Sequence, residues 1–181
     1  MSNVGKQSRD SQEALRQRTL VLCDTSGSMD NYTGQKRRID VLRDVLVEIT
    51  PPNYSGSVWQ FDSFCREVFG PPYSPGEPSG GTDLAGAIAT VARFQPRPLI
   101  VVSDGVPQDG EAALAEARAL NTRIITRFVG DDADFGAIAF MRALAWCSDD
   151  GIGDAQVHRW DRPQALADDL RALLLAWEGD R

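Results

Sequence analysis

Two short apolar runs, each closed by an aspartate, limit this chain more than any other feature. Thr19 to Cys23 (TLVLC) leads into Asp24, and Leu99 to Val102 (LIVV) leads through Ser103 into Asp104. Neither run alternates apolar with polar residues, so each predicts a parallel strand buried on both faces. Such a strand ends at the rim of an open α/β sheet, where ligands bind outside the carboxyl ends. Asp24 is followed at once by Thr25-Ser26-Gly27-Ser28, which gathers a carboxylate and hydroxyls within five residues. That stretch reads as half of a metal site.

Around the two runs, strands alternate with helices. Ile39, Leu42, Val45, Leu46 and Ile49 recur at helical spacing until Pro51-Pro52 stops them, and Val58, Trp59 and Phe61 then mark a second strand over Ser57 to Asp62. Ser63 and Phe64 permit a tight return into a short strand around Arg66 to Phe69, an antiparallel hairpin at one sheet edge. Gly70 to Gly81 holds four prolines and four glycines and has to be surface loop. Leu84, Ile88 and Val91 mark the next helix, which Pro96 and Pro98 end, and Ala113, Leu114, Ala117 and Leu120 mark another. A strand over Arg123 to Val129, a helix from Asp134 to Trp146 and an edge strand over Ala155 to Trp160 follow. Pro163 opens the last helix, striped by Leu166, Leu170, Leu173, Leu174 and Trp177. The alternation predicts one α/β domain over residues 19–181, doubly wound with helices on both faces, behind a polar arm, Met1 to Arg18.

Composition narrows the function classes. At 181 residues, 25% charged and 42% hydrophobic, the chain has the balance of a globular domain, and no run approaches membrane-spanning length. The first eighteen residues lack the apolar core of a signal peptide or anchor, so the expected location is the cytoplasm. A formal net charge of −7 argues against binding nucleic-acid phosphates. Lys36-Arg37-Arg38, the only basic cluster, reads as a solvated face at the start of a helix. Cys23, Cys65 and Cys147 have no metal-ligand spacing and read as reduced thiols.

Five oxygen-bearing side chains can meet at one sheet edge: Asp24, Ser26, Ser28, Asp104 and, from the Gly80-Gly81-Thr82-Asp83 loop, Thr82. The pattern D-x-S-x-S after the first strand, T-D after a Gly-Gly loop and S-D-G after a later strand resembles the von Willebrand factor type A (vWA) domain and its metal-ion-dependent adhesion site. That resemblance implies a Rossmann-like, mostly parallel six-stranded sheet in the order 3-2-1-4-5-6, with a short antiparallel third strand. It also implies that Ser26 and Ser28 bind a metal directly, Asp24 and Asp104 directly or through water, and Thr82 in the ligand-bound state. A partner's Asp or Glu takes the open position, and in relatives the last helix, here Pro163 to Trp177, shifts with ligand.

The donor chemistry agrees with that reading. Hydroxyls, carboxylates and water suit a hard octahedral cation, Mg²⁺ or Mn²⁺, better than Zn²⁺, and Ca²⁺ usually takes more direct carboxylates than two aspartates provide. Neutral hydroxyls leave the ion enough charge to attract an external carboxylate. The expected function is therefore metal-dependent protein binding rather than catalysis. The chain looks like the small bacterial domains that accompany MoxR-type AAA+ ATPases, tellurite-resistance proteins, or kinases and phosphatases, which points to an adaptor.

Other readings fit less well. Ser26, Asp104 and His158 follow the chain order of an α/β-hydrolase triad, yet no G-x-S-x-G elbow surrounds Ser26. A haloacid-dehalogenase phosphatase needs a second aspartate where Ser26 stands, and neither a phosphate-binding P-loop nor a dinucleotide fingerprint is present. Trp59, Trp146, Trp160 and Trp177 mostly suggest core packing. The acidic groups Asp131, Asp132, Asp134 and Asp149, Asp150, Asp154 suggest solvation and helix capping.

Overall fold

The computed structural model describes residues 18–50, 52, 54–131 and 133–178. Of the arm expected over Met1 to Arg18, only Arg18 falls within them. Six strands form one sheet: β1 (Leu20–Asp24), β2 (Ser57–Phe61), β3 (Cys65–Val68), β4 (Leu99–Ser103), β5 (Ile124–Val129) and β6 (Asp154–His158). Their spatial order is β3-β2-β1-β4-β5-β6. Only the β2–β3 pair is antiparallel; β1 pairs in parallel with β2 and β4, and β5 with β4 and β6. The expected strand order and antiparallel edge are therefore both present.

Among the described residues five α-helices cover the sheet: α1 (Arg38–Ile49), α2 (Leu84–Ala92), α3 (Gly110–Leu120), α4 (Phe135–Ala145) and α5 (Pro163–Glu178). Successive residues of a strand point to opposite faces. Val21 and Cys23 of β1 pack with α1 and α5, while Leu20 and Leu22 pack with α2, α3 and α4. Both faces are dry, which is why the central runs carry no polar alternation. Asp83, Asp109 and Asp134 each cap a helix, accepting from the backbone N–H of Gly86, Ala112 and Ala137. Each carboxylate thereby satisfies an orphan donor beside the positive end of a helix dipole.

Three features differ from expectation. Gly27–Asp30 forms a 3-10 turn, and Tyr32–Thr33 pairs with Lys36–Arg37 in a small ribbon ahead of α1, where the polar sequence carried no strand signal. Trp59 and Trp160 are buried as expected, but Trp146 is 64% exposed. It stands at the C-cap of α4, beyond the residues that the helix turns toward the sheet.

At the far edge of the sheet lies a buried ionic knot. Arg127 on β5 is 1% exposed and donates to Asp154 on β6 at 2.8 Å and, through Nε and Nη2, to both carboxylate oxygens of Asp169 on α5. His158 Nε2 lies 3.2 Å from the same Asp169. The knot pins α5 to the β5–β6 edge. Asp169→Ala removes the bidentate partner of a buried guanidinium and is expected to lower unfolding free energy by about 3 kcal/mol in urea titration. Arg127→Met combined with Asp169→Leu is expected to recover most of that loss, because the buried guanidinium is gone and the partly exposed Asp154 keeps Arg123 nearby.

Candidate functional site

The parallel register brings the two aspartate-bearing ends together. Leu20 to Cys23 of β1 lie opposite Leu99 to Val102 of β4, so Asp24 and Ser103 leave the sheet side by side. Ser103 Oγ donates to Asp24 Oδ2 at 2.6 Å, and the Ser26 N–H donates to Asp24 Oδ1 at 2.8 Å. The loop after β1 is held over β2, where the backbone N–H and hydroxyl of Thr25 both donate to the Phe61 carbonyl. Buried Met29 anchors the 3-10 turn that carries Ser28.

Within this frame Ser26 Oγ lies 3.1 Å from Ser28 Oγ, and Ser28 Oγ donates to Asp104 Oδ1 at 2.7 Å. The other Asp104 oxygen accepts from Arg38 Nη1, also at 2.7 Å, from the first residue of α1. Asp24 is fully buried, and Ser26 and Asp104 nearly so. Burial first, and then the charge of Asp104, pushes the Asp24 carboxyl up to about 6.

Thr82 arrives by a different route. Ser79 N–H donates to the Thr25 carbonyl at 3.0 Å, Gly27 N–H to that of Gly80 at 3.3 Å, and Gln108 N–H to that of Thr82 at 3.1 Å. These bonds lay the loop across the ends of β1 and β4. Gly80 has φ +63, and a Cβ there would meet Ser63 Oγ at 2.4 Å, so glycine is required for the turn. Thr82 is half-buried at the rim, and its hydroxyl is not part of the hydrogen-bonded chain through Asp24, Ser26, Ser28 and Asp104. The structure thus links four of the five expected residues, Asp24 through the Ser26 N–H and Ser26, Ser28 and Asp104 through their side chains, while Thr82 is held through its carbonyl to Gln108.

The donor set can be tested against an ion. Adjacent vertices of an octahedron with metal–oxygen bonds of about 2.0–2.1 Å lie about 2.8–3.0 Å apart. The two serine oxygens are 3.1 Å apart, close to that edge. Among the described residues no group of three or more His, Cys, Asp or Glu could hold a metal. The side-chain groups that meet here, from Asp24, Ser26, Ser28 and Asp104, offer oxygen donors, the chemistry that hard cations take.

Two participants were not anticipated. Arg38 belongs to the basic cluster expected to be solvated; Lys36 and Arg37 do pair with surface carboxylates, but Arg38 turns inward to Asp104. Ser103 supplies the hydroxyl that binds Asp24, and its place in S-D-G was the available signal. The remaining acidic residues have other work: Asp131 accepts from Ala133 N–H, Asp134 caps α4, and Asp150 and Asp154 pair with Arg123 and Arg127. Asp132 lies outside the described residues.

No protein-family sequence model matches the chain, and no curated protein sequence does so. Solved structures do. The vWF domain of the type V pili tip protein Mfa5 from Porphyromonas gingivalis is 9% identical, with a TM-score of 0.64 over 89% of this chain and 95% of that one. A von Willebrand factor type A protein from Catenulispora acidiphila is 15% identical, with a TM-score of 0.62 over 88% of this chain and 42% of that one. Manganese-loaded TRAP from Plasmodium vivax is 20% identical, with a TM-score of 0.59 over 84% of this chain and 72% of that one. The chain has the fold of vWA domains.

In chelator, the folded protein holds the Asp24 proton up to about 6 against an ordinary value of 3.8. The stability contributed by protonated Asp24 is then fully present below the unfolded value and is lost as pH rises through the folded one. Denaturation of metal-free protein across that range is expected to show wild type losing stability relative to Asp24→Asn. Parallel pH profiles for the two proteins would contradict this.

Proposed function

We propose that this chain is a metal-ion-dependent protein-binding module whose rim captures an acidic residue of a partner. The observation that carries the reading is the convergence of two serine hydroxyls, 3.1 Å apart, with two buried carboxylates at the ends of adjacent strands. Ser26 and Ser28 would bind Mg²⁺ or Mn²⁺ directly, with Asp24, Thr82 and Asp104 completing or supporting the shell. The ion supplies an open, Lewis-acidic position for a carboxylate. The chain's own contribution is to present two neutral hydroxyls, which add no negative charge to that of Asp24 and Asp104, and to hold them in place through those carboxylates. The manganese in the Plasmodium vivax TRAP structure supports a divalent ion in this fold.

The partner is a protein presenting Asp or Glu, in keeping with a cytoplasmic adaptor joined to an AAA+ ATPase, kinase or phosphatase system. Among the described residues no helix is long and apolar enough to cross a membrane. We take the module to be non-catalytic. The hydrolase alternative lacks support in the geometry, since His158 binds Asp169 while Asp104 is engaged by Ser28 and Arg38.

Calorimetric titration of Mg²⁺ and Mn²⁺ is expected to show one site in wild type and none in Asp24→Ala. At a hundredfold excess over Kd, the ion is expected to stabilise wild type by about 2.7 kcal/mol, a rise of about 5–10 °C in melting temperature. Ser28→Asp is expected to retain metal and to lose an acidic partner recovered by pull-down with wild type, because an added carboxylate cancels the charge that attracts it. Wild type that binds neither ion at millimolar concentration, and a partner that stays bound in chelator, would together refute the reading.

A further inference from the structure

Arg38 stands at the site without being one of its oxygen donors. Its Nη1 lies 2.7 Å from Asp104 Oδ2, and the carboxylate it touches has no side-chain exposure while its own side chain is 27% exposed. The guanidinium therefore spans the boundary between the buried cluster and solvent. On the solvent side Arg38 lines a cavity of about 170 Å³ together with Tyr32, Trp160, Asp131 and the Arg159–Asp161 ion pair. Its Nε is buried with no hydrogen-bond partner, so the placement carries a cost that the contact to Asp104 offsets.

The charges at the site make this contact consequential. Asp24 and Asp104, both ionised, cancel a divalent ion. With Arg38 beside them the loaded site carries one net positive charge, and a single incoming carboxylate restores neutrality. Without Arg38 the loaded site is neutral before any partner arrives. At a few ångströms from a buried carboxylate, that charge is only partly screened by water.

We propose that Arg38 sets the charge of this site: by neutralising Asp104 it loosens the hold on the metal and strengthens the capture of a partner's carboxylate. The inference rests on the metal-binding reading and adds to it a residue that the oxygen-donor motif does not contain. Arg38 also ties the start of α1 to the loop after β4, and a purely structural tie makes the opposite prediction. Loosening a structural tie weakens metal binding; removing a repelling charge tightens it.

The test compares wild type with Arg38→Gln, which removes the charge and keeps donors for Asp104, Arg38→Met, which removes both, and Arg38→Lys, which keeps the charge. Mn²⁺ alone is titrated by calorimetry into each, with melts in chelator to verify folding. Arg38→Gln and Arg38→Met are expected to bind Mn²⁺ more tightly by on the order of tenfold, with Arg38→Lys close to wild type. Acetate is then added to Mn²⁺-loaded protein at equal occupancy, and its methyl proton resonance is expected to broaden more with wild type than with Arg38→Gln. Equal or weaker Mn²⁺ affinity in a folded Arg38→Gln, or equal acetate broadening, overturns the proposal while leaving the metal site standing. Absence of Mn²⁺ binding in wild type and in all three variants overturns the metal reading and this inference with it.

Discussion

The interaction on which the rim depends is the repulsion between two buried carboxylates, Asp24 and Asp104, set at the ends of adjacent strands. Two like charges out of water are costly unless donors and cations surround them. Four groups contribute: Ser103 and the Ser26 N–H to Asp24, Ser28 and Arg38 to Asp104. The 3-10 turn after β1 and the first turn of α1 are placed where those bonds require them. A local concentration of negative charge thus organises backbone that would otherwise be ordinary loop.

The dry sheet beneath makes that concentration possible. Because β1 and β4 are apolar on both faces, neither can end in water until the rim, and the first polar groups of both strands emerge at the same level. The opposite flank solves a similar problem differently: Arg127 is buried in β5 and neutralised by Asp154 and Asp169, so a charge inside the fold serves there to hold α5 in place. One cluster is closed by ion pairs, whereas the other is built on the neutral hydroxyls of Ser26, Ser28 and Ser103.

Much of this was legible in the residues. The central strands followed from TLVLC and LIVV, the hairpin edge from Val58, Trp59 and Phe61 followed by a short return, and the last helix from its leucine stripe. Four of the five candidate site residues are joined by hydrogen bonds. The ribbon at Tyr32–Thr33 and Lys36–Arg37 was not legible, because strands of two residues carry no periodicity to detect. Nor was the inward turn of Arg38, since a basic residue at a helix start looks the same whether its target is water or a carboxylate 66 positions away. Trp146 read as core by its chemistry, but its place at the helix cap leaves it in solvent.

By itself the sequence determined which strands are central, where the polar groups follow them, and which oxygen chemistry is available at the sheet edge. These are local properties, set by side-chain period, glycine and proline content, and the order of apolar and polar residues. Only the tertiary structure decided how close the oxygens stand, that Ser103 and Arg38 belong with them, and that Thr82 reaches the rim by its backbone. Those outcomes depend on strand register and loop crossings between residues far apart in the chain, and no local pattern records a distance.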